Sequence, residues 1–256
     1  MIEPNSIAGQ TSVLDDVRRA LGRSATQPTV PPAPLGPFIE PADQTVTSEL
    51  ITRFTAEATA VRAQVHVVSD KLQLVANGGE PPATLPIDKL KFVGQIVEQI
   101  AEICAEYKGH EIALSGAELF AELDLASTVS ARGFSTFLPA EIDHGELVAR
   151  LADCGVGLTA ADYAIAETGT IVLSSDEPHA LLVSLLPPVH IALVRSSQIA
   201  ATLDCVISNL NKERIGLVDP SRSVTFITGP SRTSDVELVL SIGVHGPKEL
   251  HVIILD

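Results

Sequence analysis

Apolar residues follow two rhythms along this chain. At Leu90, Val93, Ile96, Val97, Ile100, Ile103 and Cys104 they recur every three or four positions, which predicts one buried face of a helix ending near Gly109. In VHIALV, residues 189–194, they run without interruption, as in a strand covered on both faces. Between these extremes, residues 48–64 are helix-patterned, with Thr47 or Ser48 as cap, and lead into a strand at 65–69. The segment 77–86, rich in Gly and Pro, is a loop, and EIALS (111–115) is a strand. Residues 117–146 give only loops, short helices and a strand at STFLP, and 141–156 a helix closing before Gly155. YAIA and TIVLSS, separated by Glu167, Thr168 and Gly169, form a hairpin. Pro187 and Pro188 break the apolar run that begins at His179.

Towards the carboxyl end, Ser196, Ser197 or Gln198 opens a helix with the face Ile199, Leu203, Val206, Ile207 and Leu210. SVTFIT is a strand, and Ser234 with Glu237 has capping-box spacing for another helix. ELHVIILD is a last strand. Helices alternating with apolar strands predict an α/β fold: an open mixed or parallel sheet with helices on both faces. Ahead of this body, residues 12–22 pattern as a short helix and 24–41 as a Pro-rich linker. The expected division is therefore 1–41, helix and linker, and 42–256, the α/β domain.

Charge and composition narrow the function. A formal net charge of -15 disfavours a nucleic-acid backbone as partner, so any anion site is local. Mean hydropathy is +0.28 with 19% charged residues, a globular composition. The three cysteines, Cys104, Cys154 and Cys205, form no C-x-x-C, and the histidines no H-x-H or H-x-x-x-H, so no metal site is expected. The absence of an apolar leader and of a membrane-length span predicts a cytoplasmic protein without membrane insertion. No dinucleotide, P-loop or nucleophile-elbow motif is present.

Two short stretches carry the candidate chemistry. After the strand SVTFIT, Gly229 and Pro230 make a bend, and Ser231, Arg232 and Thr233 offer two hydroxyls and a guanidinium fork beside the expected helix start. Either they hold a phosphate or carboxylate at the carboxyl edge of a strand, where ligands of open α/β sheets bind, or Arg232 braces the loop against Asp235 or Glu237. In Glu167-Thr168-Gly169-Thr170, Glu167 is either a cleft acid, base or ligand anchor, or a hairpin decoration. His245, between Gly243 and Gly246, sits in a tight loop, as a titrating group or a turn histidine; His190, heading an apolar strand, is structural.

ADYAIAETGTIVLSS (161–175), SLLPPVHIALV (184–194) and the stretch 227–256 resemble the LUD domain family, and the chain as a whole is similar to its lactate utilization protein C branch. VLDDVRRALGR resembles the amino-terminal helix that precedes a Pro-rich spacer there. The resemblance implies a fold similar to the sugar-phosphate isomerase and CoA-transferase-like (NagB/RpiA) group. It also implies a place in a three-protein system oxidising L-lactate to pyruvate, in which two partner proteins hold iron–sulfur clusters and this chain holds no cofactor. By fold analogy, Glu167 as catalytic group and Thr168, Gly169, Thr170, Gly229, Ser231, Arg232, Thr233 and His245 as ligand-binding groups would share one cleft for a small anion. The rival expectation is a stand-alone enzyme of the isomerase or CoA-transferase type, acting on a phosphorylated sugar or acyl-CoA with Glu167 as base or nucleophile.

Overall fold

The computed structural model describes residues 46–69, 86–105, 107, 111–174, 179–214, 223–234, 240–243 and 245–256. The chain separates into two compact units, Met1–Ile39 and Glu40–Asp256, and every described residue belongs to the second. The expected helix at 12–22, the Pro-rich linker and the loop at 77–85 lie outside the described residues.

Ten strands join in two sheets. The larger has six parallel strands, β1 (Gln64–Val68), β2 (Glu111–Leu114), β3 (Ser135–Phe137), β4 (Val156–Ala160), β7 (Val189–Arg195) and β12 (Glu249–Leu255), in the order β1-β12-β7-β4-β2-β3. The smaller has four: β5 (Tyr163–Ile165), β6 (Thr170–Ser174), β8 (Ile199–Ala200) and β9 (Val224–Ile227), in the order β8-β5-β6-β9. β10 (Arg232–Ser234) and β11 (Leu240–Ile242) form a separate antiparallel hairpin.

The helices are α1 (Thr47–Ala60), α2 (Pro86–Ala105), α3 (Glu118–Glu122), α4 (Leu125–Ser130), α5 (His144–Asp153), α6 (Ala180–Leu185) and α7 (Leu203–Arg214). Strand alternation sends Val189, Ile191, Leu193 and Ile253 to one face of the large sheet, where Ile96, Val97 and Ile100 of α2 and Phe120 and Leu125 meet them. Ala192, Val194, Val252 and Ile254 point the other way and share a core with Leu50, Phe54 and Ala58 of α1 and with Ala164 and Ile171 of the small sheet. On that same face Ala113 packs with Val183 of α6 and with Leu147 and Leu151 of α5. The small sheet turns Ile165 and Val172 outward onto Cys205, Val206 and Leu210, under α7. The expected α/β architecture, a mainly parallel sheet with helices on both faces, is therefore the observed one.

Four local expectations are corrected. VGLTA forms β4 in the middle of the large sheet, although its Gly and Thr had hidden it from an apolar count. The helix expected from Ser196 begins instead at Leu203: residues 196–198 make a 3-10 turn in which Arg195 N donates to Gln198 Oε1 at 2.8 Å, and Ile199 enters β8. The cap of α1 is Val46, with no side-chain bond from Thr47 or Ser48 to its amino end. Ser234, expected as a helix cap, ends β10 and is paired with Leu240 of β11; residues 235–239, where the helix was expected to begin, lie outside the described residues.

Candidate functional site

The two stretches singled out in the sequence stand side by side. β6 pairs antiparallel with β9, Ile171 opposite Ile227, so the Glu167–Thr170 bend lies next to Thr228. Thr168 Oγ1 lies 2.7 Å from Thr170 Oγ1, which in turn lies 2.7 Å from Thr228 Oγ1, a hydroxyl chain joining the bends. Both bends press on the end of α1. Gly169 has φ +61° and a Cβ there would come within 2.2 Å of Ala58 N; Gly229 has φ +75° and a Cβ would come within 2.3 Å of the Val61 carbonyl oxygen. Glycine is required twice over, by the left-handed backbone and by the contact.

The charged groups then settle on helix ends. Leu203 N, the first amide of α7, donates to Glu167 Oε1 at 2.8 Å, where the positive end of a helix dipole favours a carboxylate. Arg232 Nη2 donates to the Val61 carbonyl at 3.3 Å, and its guanidinium is otherwise exposed at the negative end of α1. Among the described residues the bracing partner of Arg232 is the last turn of α1; Asp235 and Glu237 lie outside the described residues. The loop carrying His245 is tied to Ser231: Ser231 N donates to Pro247 O at 2.9 Å and Gly243 N to Ser231 O at 3.0 Å, and His245 itself is exposed. Thr233 pairs with Ser241 in the hairpin.

The position of this group corrects the expected edge. β9 belongs to the small sheet, and its carboxyl end meets Val61, just ahead of β1, while Ser231 meets Pro247, just ahead of β12. Arg232, Ser231 and His245 therefore stand at the amino-terminal edge of the parallel sheet, opposite the edge where such sheets usually bind ligands. An open groove of about 440 Å³ lies at the other end of β1, lined by Ser69 and by Gln95, Glu98, Gln99 and Glu102 of α2, and its charge is of the wrong sign for an anion.

Sequence patterning missed a set of buried polar groups. Ser115, Thr159, His190 and His251 are all at most 2% exposed. Thr159 Oγ1 lies 2.8 Å from His190 Nε2, whereas Ser115 Oγ, His179 Nδ1 and His190 Nδ1 have no hydrogen-bond partner among the described residues. Burial, with His251 nearby, pushes His190 down to about 3, so its ring is neutral. On the other face, His251 stacks on His66 with ring centroids 5.6 Å apart; burial and the neighbouring imidazole push it down too. Glu249, beside it, accepts from Tyr107 Oη and from Gln64 Nε2. A histidine within an apolar strand was the available sign; what it touches depends on strand order, which one sequence does not reveal.

Cys104 and Cys154 are buried and their thiols are pushed up to about 12 and about 11 by desolvation. Among the described residues no group of three His, Cys, Asp or Glu could hold a metal ion, and no helix is long and apolar enough to cross a membrane.

Fold and site together define an α/β protein whose parallel sheet is coupled to a smaller mixed sheet through a shared helix. The sequence profile of the LUD domain matches residues 92–255, most of the described body, and the chain belongs to that family. A lactate utilization protein C from Halalkalibacterium halodurans is 31% identical over 64% of this chain and 70% of its own length. The lactate utilization protein C of Bacillus subtilis is 31% identical over 63% of this chain and 69% of its own. With the protein of the same name from Oceanobacillus iheyensis the matched stretch spans 47% of that relative. Among solved structures, a DUF162 family protein from Deinococcus radiodurans covers 83% of this chain at a TM-score of 0.54 and 20% identity, a likeness of fold.

Proposed function

We propose that this chain is the component of an L-lactate utilization system that carries no cluster of its own, working with iron–sulfur partner proteins that take the electrons as L-lactate becomes pyruvate. The observation that carries this reading is the 31% identity to lactate utilization protein C over most of both chains. In this reading the exposed face formed by Ser231, Arg232 and the His245 loop receives a small anion. Among the described residues its guanidinium bonds only to Val61, and carboxylates match its planar fork. Thr168, Gly169, Thr170, Gly229 and Thr233 shape that face. Glu167 is assigned a bracing role at α7 instead of a catalytic one. Acidic net charge suits a protein that meets partners through local patches.

Reconstitution tests this. The purified chain alone should not reduce a dye with L-lactate; adding two iron–sulfur proteins of a lactate utilization system should start lactate-dependent reduction. Arg232→Ala should lower that rate about tenfold or more, the scale of a lost charge-assisted contact. Turnover of a sugar phosphate or acyl-CoA by the chain alone, abolished by Glu167→Gln, would replace this reading with the stand-alone enzyme.

A further inference from the structure

The geometry points to a second binding site, at the carboxyl-terminal edge of the parallel sheet between β2 and β4, where Ser115, Thr159, His179 and His190 receive the hydroxyl of a small hydroxy acid. Strand order locates it. From β2 the chain proceeds to β3 on one side; from β4 it proceeds to β7 on the other, and β2 and β4 are neighbours. Connections that leave adjacent parallel strands in opposite directions open a crevice outside their carboxyl ends, the usual ligand position in open α/β sheets.

The side chains at that point are polar and unmatched. Leu114 pairs with Leu158, and Ser115 N continues the ladder to the Leu158 carbonyl at 2.9 Å, so Ser115 comes beside Thr159. By alternation Ser115 shares the face of Ala113, which packs with Val183 of α6. Thr159 shares the face of Gly157, where a Cβ would lie 2.0 Å from the Val183 carbonyl oxygen. Gly157 is also the register partner of His190. α6 ends at Leu185, close to the start of β7 at Val189, so its amino end lies towards the carboxyl ends of the strands. His179 lies four residues ahead of Val183, about 6 Å along the helix, and Thr159 lies two beyond Gly157, about 7 Å along the strand, which brings them level. Of the four buried polar atoms without a partner among the described residues, Ser115 Oγ and His190 Nδ1 belong to this cluster and a third, His179 Nδ1, stands at the amino end of α6. Buried groups of this kind are normally satisfied, and their concentration here signals a partner that arrives from outside.

The ligand class follows from the absence of fixed charge in Ser115, Thr159 and His190. Hydroxyls and a ring held neutral by burial suit an oxygen that both donates and accepts, a hydroxyl, better than a carboxylate or phosphate. At the rim, Arg195 at the end of β7 pairs with Glu122 of α3, reaching across the end of β4. The choice of a hydroxy acid rests on the lactate reading above; the location does not.

Calorimetric titration of the full chain with L-lactate and with propionate, which lacks only the hydroxyl, tests the site. The expected result is at least about tenfold tighter binding of lactate, since a site built around a hydroxyl rejects the analogue without it. Ser115→Ala should bring lactate down to the affinity of propionate while the denaturation midpoint holds or rises, because an unmatched buried hydroxyl has been removed. Thr159→Ser, which keeps the hydroxyl, should keep the discrimination. If Ser115→Ala discriminates as before and Arg232→Ala does not, the hydroxyl is read at the amino-terminal edge; this inference falls and the lactate reading stands. A chain that binds neither acid overturns both.

Discussion

Gly169 and Gly229 set the end of α1 at the scale of single residues. Each combines a left-handed φ with a contact that leaves no room for a methyl group, +61° at Gly169 and +75° at Gly229. Alanine at either site should destabilise the fold by about 2 kcal/mol or more in urea denaturation, whereas Gly94, with open space around it, should accept alanine at no such cost. The buried histidines give the molecule an acid limit. His190 and His251 have folded values below the ordinary 6.5, through burial first. Because the unfolded chain takes up these protons and the folded chain does not, stability is complete above about pH 6.5. It falls as pH drops below that, by up to about 1.4 kcal/mol per pH unit for each histidine. Unfolding free energies measured at pH 7.5, 6 and 5 would show the slope, and His251→Gln should flatten it. Single residues were also where the sequence was most legible as a list and least legible as an arrangement. Arg232 and Glu167 stood out as charges near bends, yet their partners, Val61 and Leu203, are 171 and 36 residues away in the chain.

Elements were legible wherever one periodicity dominated. α2, β7 and β12 follow from their apolar spacing alone, since each buries a continuous face. β4 was hidden because VGLTA holds a glycine that α6 needs to approach and a threonine that His190 needs to meet; its composition answers to neighbours. The strand at Ser234 is hidden behind the capping-box spacing of Ser234 and Glu237, since its pairing with Leu240 depends on a partner strand that local preference does not show. At this scale the bracing role of Glu167 is testable. Glu167→Ala should cost about 1 kcal/mol, the ordinary value of a cap, with loss of amide protection concentrated in the first turn of α7. α2 and the strand beside α5 enclose Cys104 and Cys154, so a maleimide at pH 8 should label neither thiol faster than the protein unfolds.

Across the whole molecule, the α/β class was readable from alternating patterns, but the split into two sheets was not, because β8 and β9 are short and pair with β5 and β6 from far along the chain. The edge that receives Arg232 followed from that split, so the candidate site was legible in its residues and not in its place. The small sheet has a particular pedigree: β5 and β6 come from the passage between β4 and β7, while β8 and β9 come from the next passage, between β7 and β12. Two successive detours are thus buttoned to each other across β5–β8 and β6–β9, holding three central strands of the large sheet in one cooperative garment. Neither half of the fastening can close before both detours have been made, which favours late closure in folding and forbids piecemeal undoing afterwards. Amides of Ala164 and Ile171 should accordingly exchange with solvent no faster than those of Ile191 and Val252, at the rate set by global opening.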